Sequence, residues 1–180
     1  MSRPALLTAE ELMHVNLPNK RTELVRGVLV VRKPPGYIHG YVILKLALAI
    51  GNFVDARKLG DVVTADAGFK LFSDPDTVRG PDLAFISRAR VPTPRPAGFA
   101  SFAPDLAIEV RSPGDRAGEI REKVADWLGG GSKLVWIIDP VRRSADIHRA
   151  DGTTVHIDEE GVLEGEHVLP GFRHTLAKIF

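Results

Sequence analysis

Two acidic residues interrupt neighbouring apolar segments of the sequence and could together bind a divalent cation. Asp82 follows a proline at the start of the segment PDLAF, and Glu109 lies in the middle of DLAIEVR. A buried carboxylate without a partner is costly, so each should be neutralised by a basic group or by a metal. If the two groups converge to about 4 Å, they repel by roughly 4 kcal/mol at an effective dielectric of about 20, which bound Mg²⁺ would relieve.

Each of these acids also has a purely structural interpretation, and the residues alone leave both open. Glu109 could form a salt bridge, for instance with Arg111, and Asp82 could cap a turn. Glu23 is a third acid, in the segment TELV, where it alternates away from the apolar positions and could equally be an exposed strand carboxylate. Lys123 follows Glu109 in a helical segment and could reach the strand ends or extend into solvent.

The periodicity of the apolar residues predicts the elements that must hold these side chains. A helix should begin after Thr8, whose spacing to Glu11 is that of a capping box. The other predicted helices are Tyr37–Lys58, ended by Gly60, then Glu119–Leu128 and a short helix at Leu176–Phe180. The predicted strands are two within Arg21–Lys33 around Gly27, then Val62–Ala65, Gly68–Phe72, Pro81–Ser87, Asp105–Arg111, Leu134–Ile138, Ala145–Arg149 and Thr153–Ile157.

The order of these elements indicates an α/β protein with a mixed sheet flanked by helices. A strand at Asp105–Arg111, a crossover helix and the almost continuously apolar strand Leu134–Ile138 form a βαβ unit, with Lys123 on the helix. The segments around Asp151-Gly152 predict a C-terminal β-hairpin extension. A length of 180 residues without internal repeats predicts one domain, residues 1–180.

The composition limits the possible binding modes and metal ligands but does not identify a substrate. The formal net charge of +1 gives no basic excess of the kind that marks non-specific nucleic-acid binding. The absence of cysteine leaves oxygen and imidazole ligands for any metal and is compatible with a reducing compartment. Without a signal-peptide core or an apolar run of about 18 residues, we expect a cytoplasmic protein and no membrane span. Phosphate-loop, dinucleotide and zincin motifs do not occur.

Taken together, several segments resemble the PD-(D/E)XK nuclease superfamily, and within it the bacterial Uma-two group of restriction-endonuclease-like proteins. The resemblance spans nearly the whole chain, and it depends on the order and spacing of segments that are weak individually. These segments are TELVRGVL with Glu23, PPGYIHG, VRGPDLAFIS with Asp82, PDLAIEVRSPGD with Glu109, REKVADWL with Lys123, LVWIIDP and LPGF.

The resemblance implies a restriction-endonuclease-like core in which Asp82 and Glu109 are metal ligands and Glu23 is an accessory acid. The chain departs from the superfamily signature two residues after Glu109, where Arg111 stands in place of lysine. Arginine stays charged and cannot deprotonate water as a lysine of depressed pKa can. We therefore assign the catalytic lysine to Lys123 and treat Arg111 as the less favoured alternative.

The activity implied by the resemblance is hydrolysis of phosphodiester bonds, in DNA, with Mg²⁺ or Mn²⁺ as cofactor. A homodimer is expected, because cutting both strands of a duplex is naturally done by paired subunits. The competing interpretation is a catalytically lapsed domain that acts as a DNA-binding or protein-interaction module, which Arg111 and the near-neutral charge favour slightly. His39 could also approach the site from its helix.

Overall fold

The computed structural model describes residues 6–64 and 67–180, and within them three sheets and three α-helices are formed. The helices are α1 (Ala9–His14), α2 (Tyr37–Arg57) and α3 (Ala117–Gly129). The strands are β1 (Arg21–Val25), β2 (Val28–Arg32), β3 (Gly60–Thr64), β4 (Phe69–Phe72), β5 (Thr77–Arg79), β6 (Leu83–Ser87), β7 (Leu106–Val110), β8 (Leu134–Asp139), β9 (Ser144–Arg149), β10 (Thr154–Ile157), β11 (Val162–Glu164) and β12 (Arg173–Thr175). Short 3-10 turns lie at Arg88–Arg90 and Leu176–Ile179.

The central sheet has six strands in the order β10-β9-β8-β7-β6-β3. Strands β7 and β8 run parallel, whereas the other neighbouring pairs are antiparallel. Helix α3 provides the crossover between β7 and β8, as a parallel pair requires. The predicted βαβ unit and the mixed α/β sheet are therefore confirmed.

Strand β7 separates two apolar clusters because its side chains alternate between the sheet faces. Leu106, Ile108 and Val110 belong to the larger cluster, which α2 and the C-terminal segment cover. Ala107 belongs to the second cluster, which contains Val124 and Trp127 of α3. Glu109 lies on the α3 side of the sheet and is buried. The alternation predicted from the sequence thus places a carboxylate beneath α3.

Helix α2 packs one face against the central sheet and leaves part of the opposite face exposed. Val42, Leu46 and Ile50 are fully buried in the larger cluster, whereas Leu44 and Leu48 are more than half exposed. The helix is long and apolar enough to cross a membrane by length and composition alone, but the core helix of a globular protein passes the same test. Its buried face contributes part of its apolar character, and exposed residues such as Leu44 and Leu48 contribute the rest.

The N-terminal half of the chain forms a second sheet, with strand order β2-β1-β5-β4. The predicted hairpin of β1 and β2 is confirmed, with Gly27 at a φ of 76° in its turn. Strand β5 was not predicted, because three residues are too few to show a period. It pairs with β1 through Leu24 and Val78, and this pairing brings Arg79 beside Glu23.

Several element boundaries differ from the predicted ones. Helix α2 ends at Arg57 and is capped by Lys58, which adopts the left-handed conformation at a φ of 55°, and Gly60 begins β3 instead of ending the helix. The predicted strand Val62–Ala65 corresponds to β3, although Ala65 lies outside the described residues. The hairpin of β9 and β10 is confirmed, and the short pair β11 and β12 was not predicted.

Two leucines on α2 test how its packing contributes to stability. Leu46 is 0% exposed and Leu48 is 52% exposed, so the same substitution removes very different contacts. We expect Leu46→Ala to lower the free energy of unfolding by about 2–5 kcal/mol, from lost burial and the cavity left behind. The matched variant Leu48→Ala should change it by less than about 0.5 kcal/mol. Urea unfolding followed by circular dichroism measures both, and equal losses would contradict this packing.

Candidate active site

The register between β6 and β7 brings Asp82 and Glu109 together. The strands are antiparallel with Leu83 opposite Ile108, so the preceding residue Asp82 lies beside Glu109 at the same end of the pair. Asp82 is 4% exposed and Glu109 is 3% exposed. Two carboxylates from adjacent strands are thus held close together in a region that water barely reaches.

Asp82 accepts hydrogen bonds from three different elements. Its Oδ2 accepts the backbone N–H of Val110 at 2.7 Å and lies 3.2 Å from Nε2 of His39. Its Oδ1 accepts Nη2 of Arg21 at 3.0 Å. These donors compensate for burial of the charge, and they link β1, α2 and β7 to the residue that precedes β6.

Two side chains of α3 donate hydrogen bonds to Glu109. Its Oε2 accepts Nζ of Lys123 at 2.6 Å, and its Oε1 accepts the indole N–H of Trp127 at 2.9 Å. The two donors are four residues apart on α3 and therefore lie on the same face of that helix. Arg111, the salt-bridge partner suggested by sequence proximity, instead bonds Asp139 at 2.9 Å.

Glu23 is the third buried acid, and a buried arginine holds it in place. Arg79, which is 1% exposed, donates to Oε2 of Glu23 at 3.1 Å and to Oδ2 of Asp126 on α3 at 2.6 Å. The backbone N–H of Gly80 donates to Oε1 of Glu23 at 3.2 Å. Nζ of Lys123 lies 4.0 Å from the same Oε1. Glu23 and Glu109 therefore share Lys123 as a counter-ion.

These acids face a cavity of about 350 Å³. Glu23, Asp82, Glu109, Lys123 and His39 all line it. Two loops form other parts of its wall, with the sequences KPPG at residues 33–36 and SPGD at residues 112–115. A reacting group could therefore reach the carboxylates from this side.

The three carboxylates differ in how well their charge is stabilised. Burial raises the pKa of Asp82, but His39 and the Val110 N–H outweigh it, so the net shift is downward. Burial likewise raises the pKa of Glu23, and Lys123 and Arg79 reverse that effect. The pKa of Glu109 stays raised, because burial and the charges of Asp82 and Glu23 outweigh the Lys123 ammonium. Glu109 is thus the carboxylate that would gain most from an additional cation.

The charged form of Lys123 is favoured, whereas the charged form of Glu109 is disfavoured. Burial lowers the pKa of its ammonium, but the carboxylates of Glu109 and Glu23 more than offset this and raise the pKa above its ordinary value. An amine that is held in the charged form is a poor proton acceptor at neutral pH. Lys123 is therefore suited to stabilise negative charge or to orient a water, and it is not suited to act as a general base.

The donor set fits a magnesium-type cation that is held by few protein ligands. Among the residues that the structure describes, no group of three or more histidine, aspartate and glutamate side chains is arranged to hold a metal ion. Mg²⁺, however, is commonly held by one or two carboxylates, with waters and substrate phosphates as its other ligands. Asp82 and Glu109 supply two hard oxygen ligands beside a cavity, and the raised pKa of Glu109 leaves its charge to be compensated.

The structure brings four of the five predicted site residues to one place. Asp82, Glu109, Lys123 and Glu23 all line the cavity. Arg111 is absent from the described residues that line it, and its guanidinium instead pairs with Asp139 at the end of β8.

Sequence reasoning missed or underrated three groups at the site: Arg79, Trp127 and His39. The helical spacing of Trp127 from Lys123 was a signal that could have found the indole. For His39 the sequence indicates only that it could approach the site, and the buried position of Arg79 leaves no signal in the sequence.

Comparisons with known proteins show the family and the fold of this chain. Residues 9–177 match the Uma2 family, described as "Putative restriction endonuclease". A crystal structure from Anabaena variabilis, described as a putative nuclease belonging to DUF820, superposes with a TM-score of 0.85 at 17% sequence identity over 97% of each chain. At that identity, the likeness shows a shared fold. No curated protein gave a significant match.

Removing the Lys123 ammonium tests how the buried acids are compensated. In Lys123→Met, we expect the raised pKa of Glu109 to rise further, because the nearest opposite charge is lost. The ¹³C chemical shift of the Glu109 carboxyl carbon, followed against pH, measures this. Arg121→Met removes an exposed charge from the same helix and should leave the Glu109 titration unchanged. An unchanged titration in Lys123→Met would contradict the pairing.

Proposed function

Because the chain belongs to the Uma2 family of restriction-endonuclease-like proteins, we propose that it is a metal-dependent endonuclease that hydrolyses phosphodiester bonds in DNA. The observation that carries the proposal is the buried cluster in which Asp82 and Glu109 face one cavity beside Lys123. A structural salt bridge would need one acid and one base. Here three buried carboxylates converge, and Glu109 remains incompletely compensated.

Asp82 and Glu109 would hold Mg²⁺ or Mn²⁺, and one oxygen of each contacts a cationic side chain, that of Arg21 or of Lys123. Such a cation supplies positive charge that lowers the pKa of an attacking water and stabilises the leaving oxygen. The opposite oxygens of both residues are fixed by Val110, His39 and Trp127. The carboxylates are therefore oriented before any ligand arrives.

Lys123 would place its ammonium against the negative charge that develops on the phosphate. Its raised pKa keeps it protonated, so it contributes charge and hydrogen bonds instead of removing a proton. Glu23 and Arg79 would hold Lys123 from the other side, since Glu23 lies 4.0 Å from the ammonium and is itself bonded by Arg79. Arg111 has no direct role in this arrangement, because it pairs with Asp139.

A lapsed enzyme that binds DNA or a protein is the second candidate, and a specific observation favours it. Asp82 and Glu109 each have a cationic partner in the chain itself, Arg21 and Lys123 respectively. Such pairs would stabilise the fold without any metal. A binding module of this kind would be indifferent to Mn²⁺ and would retain DNA without cutting it.

We also propose a cytoplasmic homodimer. Two copies of one site can cut both strands of a duplex, which is the reason to expect two-fold pairing.

Cleavage of supercoiled plasmid DNA by the purified chain tests the proposed activity. We expect nicking or linearisation with Mg²⁺ or Mn²⁺ and none with EDTA. Asp82→Asn and Glu109→Gln should lower the rate by about 100-fold or more, since each removes a charged ligand of the reacting centre. The exposed Glu160→Gln serves as the matched control and should cut at the native rate.

Two outcomes of that assay would count against the nuclease. Metal-dependent cleavage at the native rate by Glu109→Gln would point to a contaminating enzyme. DNA retention by the native chain in a gel-shift assay, without cleavage under any metal, would favour the binding module.

A further inference from the structure

The first turn of α2 buries a histidine against the candidate metal ligand. His39 is the third residue of that helix, is 4% exposed and lines the same cavity as the acids. Its Nε2 lies 3.2 Å from Oδ2 of Asp82. The helix begins directly after Pro34-Pro35-Gly36, so the turn that starts α2 also fixes the approach of the imidazole to β6.

The two oxygens of Asp82 have different surroundings. Oδ2 receives the Val110 N–H at 2.7 Å and faces Nε2 of His39, which together occupy the two lone pairs of that oxygen. Oδ1 contacts Arg21, whose side chain is 26% exposed and lines the cavity. One oxygen is therefore fixed by buried donors, and the other lies on the side that solvent and ligands can reach.

The environment of the other imidazole nitrogen indicates where the His39 proton resides. Nδ1 is buried and has no hydrogen-bond partner among the described residues. A proton on Nδ1 would be a buried donor without an acceptor, which is unfavourable. A proton on Nε2 is instead donated to Asp82. In a neutral ring the favoured tautomer therefore carries its proton on Nε2, from which it donates to the carboxylate.

We propose that His39 is a positioning residue of the metal site, which fixes Oδ2 of Asp82 so that Oδ1 is the oxygen presented to the cation. The inference rests on the proposed metal-dependent function. Orienting a ligating carboxylate through its second oxygen reduces the reorganisation needed when the cation binds. His39 itself does not bind the cation in this arrangement.

Two amide substitutions separate hydrogen bonding from packing. In His39→Gln the side-chain amide can reach about as far as Nε2, whereas in His39→Asn it reaches only about as far as Nδ1. Both replacements are polar, and both remove the imidazole ring. A role in packing alone predicts similar losses in the two variants, and a role through Nε2 predicts that the glutamine variant is rescued.

Calorimetric titration with Mn²⁺ on the full chain measures the effect without relying on cleavage. We expect His39→Asn to weaken Mn²⁺ binding by about 10- to 100-fold, as for the loss of other hydrogen-bond partners of metal ligands. His39→Gln should bind within about threefold of the native chain. Unfolding by urea without metal should give similar stabilities for the two variants. If H39N does not fold, His39→Met, which has similar length and no donor, takes its place.

The outcomes separate this inference from the proposed function. Native Mn²⁺ affinity in H39N, or equal weakening in H39N and H39Q, would overturn the role of His39 and leave the nuclease proposal standing. Mn²⁺ binding that follows the expected order, in a native chain that cuts no DNA, would support the role of His39 and overturn the nuclease. If the native chain binds no Mn²⁺, both proposals fail.

Discussion

The antiparallel pairing of β6 with β7 is the constraint on which the rest of the site depends. It holds Asp82 beside Glu109 at one end of two buried strands, where little water is available to screen their charges. Like charges in such a place raise the free energy of the folded state unless cations compensate for them. Several surrounding elements therefore contribute a positive group or a hydrogen-bond donor to this pair.

The flanking elements supply such groups from different directions, including Arg21 of β1 to Asp82. Helix α3 provides Lys123 and Trp127 to Glu109, and α2 provides His39 to Asp82. The second sheet contributes through β5, whose Arg79 joins Glu23 to Asp126 of α3. The carboxylates are thus fixed on the protein side, while the cavity gives access to their other side. This arrangement suits a preorganised site for a cation and an anionic substrate.

Much of this fold and part of the site could be predicted from the sequence, for identifiable physical reasons. The period-two pattern of β7 places Glu109 on the other face of the sheet from Ile108. The crossover rule places α3 over the sheet, so Lys123 was within reach of Glu109. Proximity in sequence also left open a salt bridge from Glu109 to Arg111, which the fold instead directs to Asp139. Arg79 was missed because β5 is too short to show a pattern, and the contact of His39 depends on how α2 packs against β6.

The most direct measurement of the central claim is a crystal structure of the chain grown or soaked in Mn²⁺, with anomalous scattering recorded for manganese. The account predicts an anomalous peak between Asp82 and Glu109, at about 2.2 Å from one oxygen of each, with Oδ2 of Asp82 still bonded to His39. An absence of manganese at that position, with Arg21 and Lys123 still occupying both carboxylates at saturating Mn²⁺, would contradict it.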